Sequence, residues 1–258
     1  MGGPALSVTL PEAIAVFAAG VGAGGINAIV GSGSLITFPT LLAFGVPPVL
    51  ANVTNNVGLV PGSASGAYGY RHELTGQRGR LLRLGIGSAC GSAAGAILLL
   101  KLPASTFQVI VPALILLACV LVILQPRLNS WLAAHRDEGS KHGGPPLFAG
   151  VAASGVYGGY FGAAQGVLMI GLLGIFLDEP LQRVNGLKNV LTGIVNGVAA
   201  IVFIGLSHVA WLLAALIAVG STAGGLIGAR YGRRLPPTAL RVLVVIIGVI
   251  SAVRLIFF

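Results

Sequence analysis

The sequence predicts an all-α, polytopic transmembrane helical bundle of two inverted five-segment repeats, with broken or re-entrant helices. The prediction rests on three observations: the composition, the succession of apolar segments and an internal repeat. Of the 258 residues, 55% are hydrophobic and only 8% are charged. A soluble domain carries about 25% charged residues. A soluble protein with so few charges could not cover its surface, so the composition indicates a membrane protein.

Ten apolar segments follow one another along the chain. They lie at about 12–31, 33–45, 47–70, 81–100, 105–125, 147–162, 165–177, 181–206, 209–229 and 238–258. Several approach or exceed the roughly 20 residues that a helix needs to span a bilayer. The second and seventh have near a dozen residues, a length that suits a half-helix or a re-entrant piece.

A polar stretch in the middle of the chain divides these segments into two groups. Residues 126–146 hold the densest mixture of charge, glycine and proline in the sequence. We therefore expect a first transmembrane repeat at 1–125, a linker at 126–146 and a second transmembrane repeat at 147–258.

The two groups resemble each other in sequence. When residues 22–103 are laid on residues 155–236, an offset of 133, sixteen of the 82 positions are identical. Glycine, proline and asparagine have local structural roles, so matches at these residues support a repeat. Such matches pair Gly33 with Gly166, Pro47 with Pro180, Asn52 with Asn185, and Asn56 with Asn189. Small-residue stripes in both halves also predict close helix packing; they lie at Gly87, Gly91 and Gly95, and at Gly220, Gly224 and Gly228.

The distribution of lysine and arginine predicts that the halves have opposite orientations. Equivalent loops differ in charge: residues 71–83 hold four arginines, whereas residues 205–209 hold neither lysine nor arginine. The next loop reverses this difference, with Lys101 in the first half against four arginines at 230–241. Loops rich in these residues are usually cytoplasmic. The linker would then be cytoplasmic and the N-terminus outside. Parallel repeats of four spans are the alternative.

The net charge of +9 has the same explanation. Twelve of the fifteen lysines and arginines would lie on the cytoplasmic side. The basic balance therefore favours a membrane protein with no nucleic-acid partner.

The first candidate site is the glycine-rich junction of segments one and two. It consists of Gly31, Ser32, Gly33 and Ser34. A half-helix that begins at Ser34 would direct free N–H groups and the positive end of its dipole toward an anion. The matching residues in the second half are Gln165 and Gly166. An ordinary helix-packing face is the alternative interpretation.

The second candidate is a polar group in an apolar segment, with Asn52, Thr54 and Asn55. Polar side chains are costly in hydrocarbon unless they are satisfied, and helical spacing places Asn52 and Asn55 on one face. They could bind a substrate, or they could join helices by hydrogen bonds.

The third candidate is Lys188, which aligns with Asn55 and lies between Asn185 and Asn189. A lysine inside a membrane segment is a candidate for function and could neutralise an anion. The alternative is a lysine near a helix end whose ammonium reaches the interface.

Three charged residues at the end of the third segment could form a weaker candidate, a cytoplasmic gate. These residues are Arg71, His72 and Glu73. A solvated loop explains them equally well.

The absences favour transport of an anion over catalysis. The six acidic residues all fall at segment ends or in loops, so the buried carboxylates of cation pumps are missing. We find no constellation of nucleophile and base, no metal motif and no cofactor motif. We therefore expect a chain that is not an enzyme and has no cofactor, whose partners are a small anionic substrate and the lipid bilayer.

The chain resembles the TauE/SafE family of sulfite exporter-like membrane permeases. The resemblance covers nearly the whole chain and includes the glycine-rich start through Gly33 and a second such start at 155–166. Between them and beyond lie further matching residues: Pro39, Gly45-Val46-Pro47, Ala51-Asn52-Val53-Thr54-Asn55, Tyr70 and Lys188-Asn189. One departure is Leu187-Lys188, where the first half has Thr54-Asn55.

This resemblance implies export of sulfite, or of an organosulfonate such as sulfoacetate, across the bacterial inner membrane. It also implies coupling to a proton or ion gradient. We therefore expect a multi-pass secondary transporter that works by alternating access, and the sequence is compatible with an oligomer. An anion channel, or a permease for another small anion, is the alternative.

Overall fold

The computed structural model describes residues 8–134, 144–231 and 237–257, and all regular structure in these ranges is helical. The ten helices follow the ten predicted segments in order, which confirms the all-α prediction. They are α1 (Leu10–Ile29), α2 (Ser34–Ala43), α3 (Pro48–Gly69), α4 (Arg78–Lys101), α5 (Ala104–Ala134), α6 (Gly144–Tyr160), α7 (Gln165–Phe176), α8 (Leu181–Leu206), α9 (Trp211–Tyr231) and α10 (Pro237–Phe257). A short 3-10 helix, Arg71–Leu74, follows α3.

Within the described ranges, six helices are long and apolar enough to cross a bilayer: α1, α4, α5, α8, α9 and α10. The two short predicted segments are short helices, since α2 has 10 residues and α7 has 12. Large apolar side chains such as Leu117, Ile123, Ile246 and Ile250 are exposed on α5 and α10. Such a surface suits lipid better than water, and the chain is a multi-pass membrane protein.

The third helix of each half begins in the same way. Pro47 precedes α3 and Pro180 precedes α8, both with φ −55° and with ψ of 141° and 144°. Proline suits a helix start because it has no N–H group for the helix to satisfy. These prolines occupy equivalent positions under the offset of 133, so α3 and α8 start in register.

Glycine stripes bring two helix pairs into backbone contact, as predicted. Helix α1 packs on α9, and α4 packs on α6. A Cβ atom at Gly224 would overlap the carbonyl of Val21, and one at Gly91 would overlap the carbonyl of Ala152. Both pairs therefore depend on residues without a side chain.

Helices α3 and α8 pack side by side and run antiparallel. Ser63, in the C-terminal third of α3, contacts Asn196, just past the middle of α8. Toward the end of α3, a Cβ at Gly66 would lie 3.9 Å from Cγ of Asn189, near the start of α8. Helices α5 and α10 also run antiparallel, since Gln125 binds Arg241 whereas a Cβ at Gly248 would approach Ile115.

The two helices that flank the predicted linker extend into it. Helix α5 continues to Ala134 and α6 begins at Gly144, so both helices enter the stretch 126–146. Residues after Pro126 have helix-compatible types, and the mixture of charge and glycine starts only later. The remaining linker residues, 135–143, lie outside the described ranges.

Candidate functional site

Each half contains a break between its first two helices. Helix α1 ends at Ile29 and α2 starts at Ser34; Gly31, between them, has φ +86°. Helix α6 ends at Tyr160 and α7 starts at Gln165, with Ala164 at φ +57°. Gly31 and Ala164 are equivalent under the offset of 133. Both halves therefore turn with a left-handed residue at the same place.

The two breaks contact each other through their backbones. The N–H group of Gly166 donates a hydrogen bond of 3.0 Å to the carbonyl of Gly31. A Cβ atom on Gly31 would lie 2.5 Å from Cα of Gly166, so neither residue has room for a side chain. The amide of Gly166, a predicted anion ligand, is thus used by the protein itself.

The break in the first half holds an unsatisfied hydroxyl group. Ser32 is 1% exposed, and its Oγ has no hydrogen-bond partner among the described residues. Gly33 packs against the carbonyl of Ala23 on α1, and Ser34 is half-buried at the start of α2. A buried polar group without a partner costs free energy, so the Ser32 hydroxyl is suited to bind a ligand.

The predicted residues of α3 form hydrogen bonds to three different places: α2, α6 and the loop before α9. Asn52 donates from Nδ2 to the carbonyl of Tyr160 at 3.0 Å. Thr37 donates from Oγ1 to Oδ1 of Asn55. Thr54 accepts the N–H of Ala210 at 3.1 Å. We call this group of Thr37, Asn52, Thr54 and Asn55 the α3 cluster.

The predicted residues of α8 form a second cluster at the C-terminal end of α1. Lys188 is fully buried, and its Nζ donates to the carbonyls of Asn27 at 2.9 Å and Ala28 at 3.2 Å. Asn189 donates to the same Ala28 carbonyl at 3.3 Å. Asn185 is buried one turn earlier, and its Oδ1 has no partner in the described part of the chain. We call Asn185, Lys188 and Asn189 the α8 cluster.

The charge of Lys188 is balanced by backbone. Among the described residues, no carboxylate oxygen lies within ion-pair distance of its ammonium group. The last carbonyls of a helix carry partial negative charge, and Lys188 binds two of them. An ammonium group has three N–H donors, so one remains for another acceptor.

The structure separates the two clusters. Ser63 and Asn196 mark the contact between antiparallel α3 and α8. Asn55 lies eight residues before Ser63, and Lys188 lies eight residues before Asn196. At 1.5 Å per residue, each is about 12 Å from the contact along its own helix, in opposite directions. The predicted residues of α3 and α8 therefore form two groups, apart from those at the helix breaks, and their role in binding a substrate stays a prediction.

The two clusters are nevertheless equivalent in one respect. Asn27 and Tyr160, whose carbonyls are bound, are related by the offset of 133. Each lies near the C-terminal end of the first helix of its half. At α6 the carbonyl receives the neutral amide of Asn52, whereas at α1 it receives the ammonium of Lys188.

The residues predicted as a cytoplasmic gate lie at the surface. Arg71 and His72 are exposed, and the Arg71 guanidinium lies 4.2 Å from the ring centre of Tyr68. Glu73 is half-buried, and its backbone carbonyl accepts a hydrogen bond from Gln77. These contacts are local, but the 3-10 helix also packs against α8, where a Cβ atom at Gly186 would lie 3.3 Å from Cβ of Glu73.

A neighbouring ion-pair group does join distant helices, and the sequence reasoning missed it. Glu179 binds Arg80 and Arg183, each at 2.9 Å, and Arg183 also donates to the carbonyl of Thr75. The group links the start of α4 to the start of α8. The i,i+4 spacing of Glu179 and Arg183 is a visible signal, whereas Arg80 is 99 residues away in sequence.

A cavity of about 500 Å³ lies between α2, α5 and α10. Its polar side chains come from Gln108, Ser251 and Arg254, and no predicted site residue lines it.

In the described ranges, no group of three or more histidine, cysteine, aspartate or glutamate side chains is arranged to hold a metal ion.

Comparison with known proteins gives a consistent result. The family model described as "Sulfite exporter TauE/SafE" matches residues 16–255. A probable membrane transporter protein of Haemophilus influenzae is 26% identical over 94% of this chain and 93% of its own length. The relative ORF9 of Sinorhizobium sp. is 28% identical, covering 93% and 90%, and YfcA of Escherichia coli K12 is 26% identical, covering 91% and 86%. Both are also named probable membrane transporter proteins. No solved structure is significantly similar.

Proposed function

Because the chain belongs to the TauE/SafE family of membrane transporters, we propose that it exports a small sulfur-containing anion, such as sulfite or sulfoacetate, by alternating access. It acts as a secondary transporter in the bacterial inner membrane, with its N-terminus outside and its linker in the cytoplasm. The arginine-rich loops support this orientation.

The observation that carries the proposal is the contact between equivalent residues of the two halves. Ser63 and Asn196 differ by the offset of 133 and bind each other. The same offset, applied beyond the aligned residues, pairs Ile115 with Gly248. A Cβ atom at Gly248 would lie 3.6 Å from the side chain of Ile115. Equivalent helices that cross antiparallel at equivalent residues are expected of inverted repeats, whose twofold axis lies in the membrane plane.

Inverted repeats would give each part of the proposed site a depth in the membrane. The axis passes through the contacts between equivalent residues, so Ser63 and Asn196 lie near mid-depth. The α3 cluster is displaced toward the outer face and the α8 cluster toward the cytoplasmic face, by about 12 Å along the helices. A substrate that crosses the bilayer would therefore meet the α8 cluster first during export.

The anion binds at the break between α1 and α2. The buried Ser32 hydroxyl can donate a hydrogen bond to an anion oxygen. The start of α2 contributes the positive end of a helix dipole. Lys188 contributes its positive charge and its remaining N–H group. Irregular backbone at membrane depth is tolerated where it is buried in protein or lines a cavity, as at Gly31.

Flux into proteoliposomes tests the proposal. Sulfite, thiosulfate, sulfoacetate and sulfate are compared, each with and without a pH gradient. We expect saturable flux of at least one sulfur oxyanion, with a response to the gradient. Absence of flux for all four contradicts the substrate class, and single-channel currents favour the anion channel.

Two variants test the site. Ser32→Ala removes the unsatisfied hydroxyl and should raise KM about tenfold, which corresponds to the loss of one charge-assisted hydrogen bond. Lys188→Ala should reduce flux further because it also removes the positive charge. Unchanged flux in both variants places the anion elsewhere.

A further inference from the structure

Lys188 occupies the kind of place in which transporters bind a coupling cation. In transporters with broken helices, C-terminal helix ends and unwound carbonyls coordinate Na⁺ or a proton. Here the C-terminal end of α1 presents the carbonyls of Asn27 and Ala28, and the Lys188 ammonium binds both. We propose that Lys188 is a tethered cation that fills a monovalent-cation site at the end of α1, and that this site therefore takes no free coupling ion.

The charge balance around Lys188 supports this role. The ammonium is fully buried, and no described carboxylate lies within ion-pair distance. A buried charge must be compensated, and the compensation comes from carbonyl oxygens, which are typical ligands of alkali cations. The Oδ1 of Asn185 is a further buried oxygen one turn earlier on the same helix.

The equivalent helix end in the other half provides an internal comparison. The carbonyl of Tyr160 at the end of α6 receives the amide of Asn52, which carries no charge. A polar side chain thus donates to a carbonyl at the end of both α1 and α6, but only the donor at α1, Lys188, carries a positive charge. A fixed charge at one end indicates a function beyond satisfying a carbonyl.

The inference rests on the proposed transport function but is tested without flux. In Lys188→Ala, the carbonyls lose their cation and the removed chain leaves space, so a small cation can bind. In Lys188→Met, an unbranched apolar chain fills much of that space. Wild type, Lys188→Ala and Lys188→Met are purified in detergent, and their melting temperatures are measured against Na⁺ and, separately, ethylammonium. N-methylglucamine keeps the ionic strength constant.

We expect saturable stabilisation of Lys188→Ala by one of these cations, by several degrees, because a ligand that binds only the folded state raises stability. Wild type and Lys188→Met should not respond. A Lys188→Ala protein that no cation stabilises overturns the proposal. Absence of anion flux in wild type, with the cation response of Lys188→Ala intact, would reject the transport function and leave the tethered cation in place.

Lys188→Gln provides a second test if Lys188→Ala cannot be recovered. Glutamine keeps N–H donors but removes the charge. We expect Lys188→Gln to be markedly less stable than wild type. Equal melting temperatures would mean that donors alone suffice, which also overturns the proposal.

Discussion

Asn196 donates a hydrogen bond of 3.0 Å to Ser63, and the two residues occupy the same position in the two halves of the chain. This hydrogen bond fixes the register of α3 against α8. Asn55 and Lys188 therefore lie at equal distances from it along their own helices, on opposite sides of the contact.

The Ser63–Asn196 pair should stabilise the contact between the halves. Both residues are buried. We expect a coupling free energy of about 0.5–1.5 kcal/mol between Ser63→Ala and Asn196→Ala, a range set by buried hydrogen bonds in membrane proteins. A double-mutant cycle on unfolding in detergent and denaturant measures it. Strictly additive variants would mean that the bond contributes nothing.

The glycine stripe on α9 should not tolerate alanine. In Gly224→Ala the new methyl group would overlap backbone atoms of α1. We expect a loss of at least about 1–3 kcal/mol from overpacking. The matched control is Gly197→Ala in α8, where no atom lies within 4 Å. It should be neutral or gain up to about 1 kcal/mol of helix propensity. Thermal unfolding compares them, and equal effects would exclude backbone contact as the cause.

The two left-handed positions should respond differently to exchange of glycine and alanine. Gly31→Ala places a methyl group at φ +86° and against Gly166. The methyl group would push the two helix breaks apart, so we expect transport to fall at least about tenfold.

Ala164→Gly at the equivalent position releases about 1 kcal/mol of strain and loses a buried methyl group worth about the same. Its stability should therefore be close to that of wild type. Flux and melting temperature are measured for both variants. Full flux in Gly31→Ala would show that the break contact is not needed.

The Glu179 ion pairs should restrict access to the start of α8. Glu179→Gln removes the partner of Arg80 and Arg183. We expect a several-fold rise in the maleimide labelling rate of Val184→Cys, a buried position on α8, in a background without Cys90 and Cys119. High salt should also raise the labelling rate of Val184→Cys in the protein that retains Glu179, because the ion pairs are partly exposed and salt screens them.

Glu12→Gln is the control for this experiment. Glu12 caps the start of α1 through the N–H of Thr9, and glutamine also suits a capping box. It should leave labelling unchanged. If both variants increase labelling equally, the effect is a general loss of stability.

Much of the fold could be predicted from sequence because bilayer length and helix breaks leave local signals. The short second and seventh segments, the prolines before α3 and α8, and Gly31 are visible one segment at a time. The end of α5 was not visible, since the types of residues 127–134 are compatible with either helix or linker.

The division of the site into two clusters could not be predicted in this way. Asn55 and Lys188 align in the repeat, and alignment suggests proximity unless the helices are known to run antiparallel. The partners of Lys188 are backbone carbonyls of Asn27 and Ala28, to which any residue type contributes. Sequence identifies a buried ammonium but gives no signal for carbonyl partners.

The charge difference between Lys188 and its equivalent, Asn55, has an energetic consequence. Two identical inverted halves could exchange roles and regenerate the same molecule, so the outward-open and inward-open forms would be degenerate. Lys188 stands where the other half has Asn55, and the Glu179 ion pairs exist on one side only. If the chain works by alternating access as proposed, these differences lift the degeneracy, and we expect the empty protein to have a resting preference for one form.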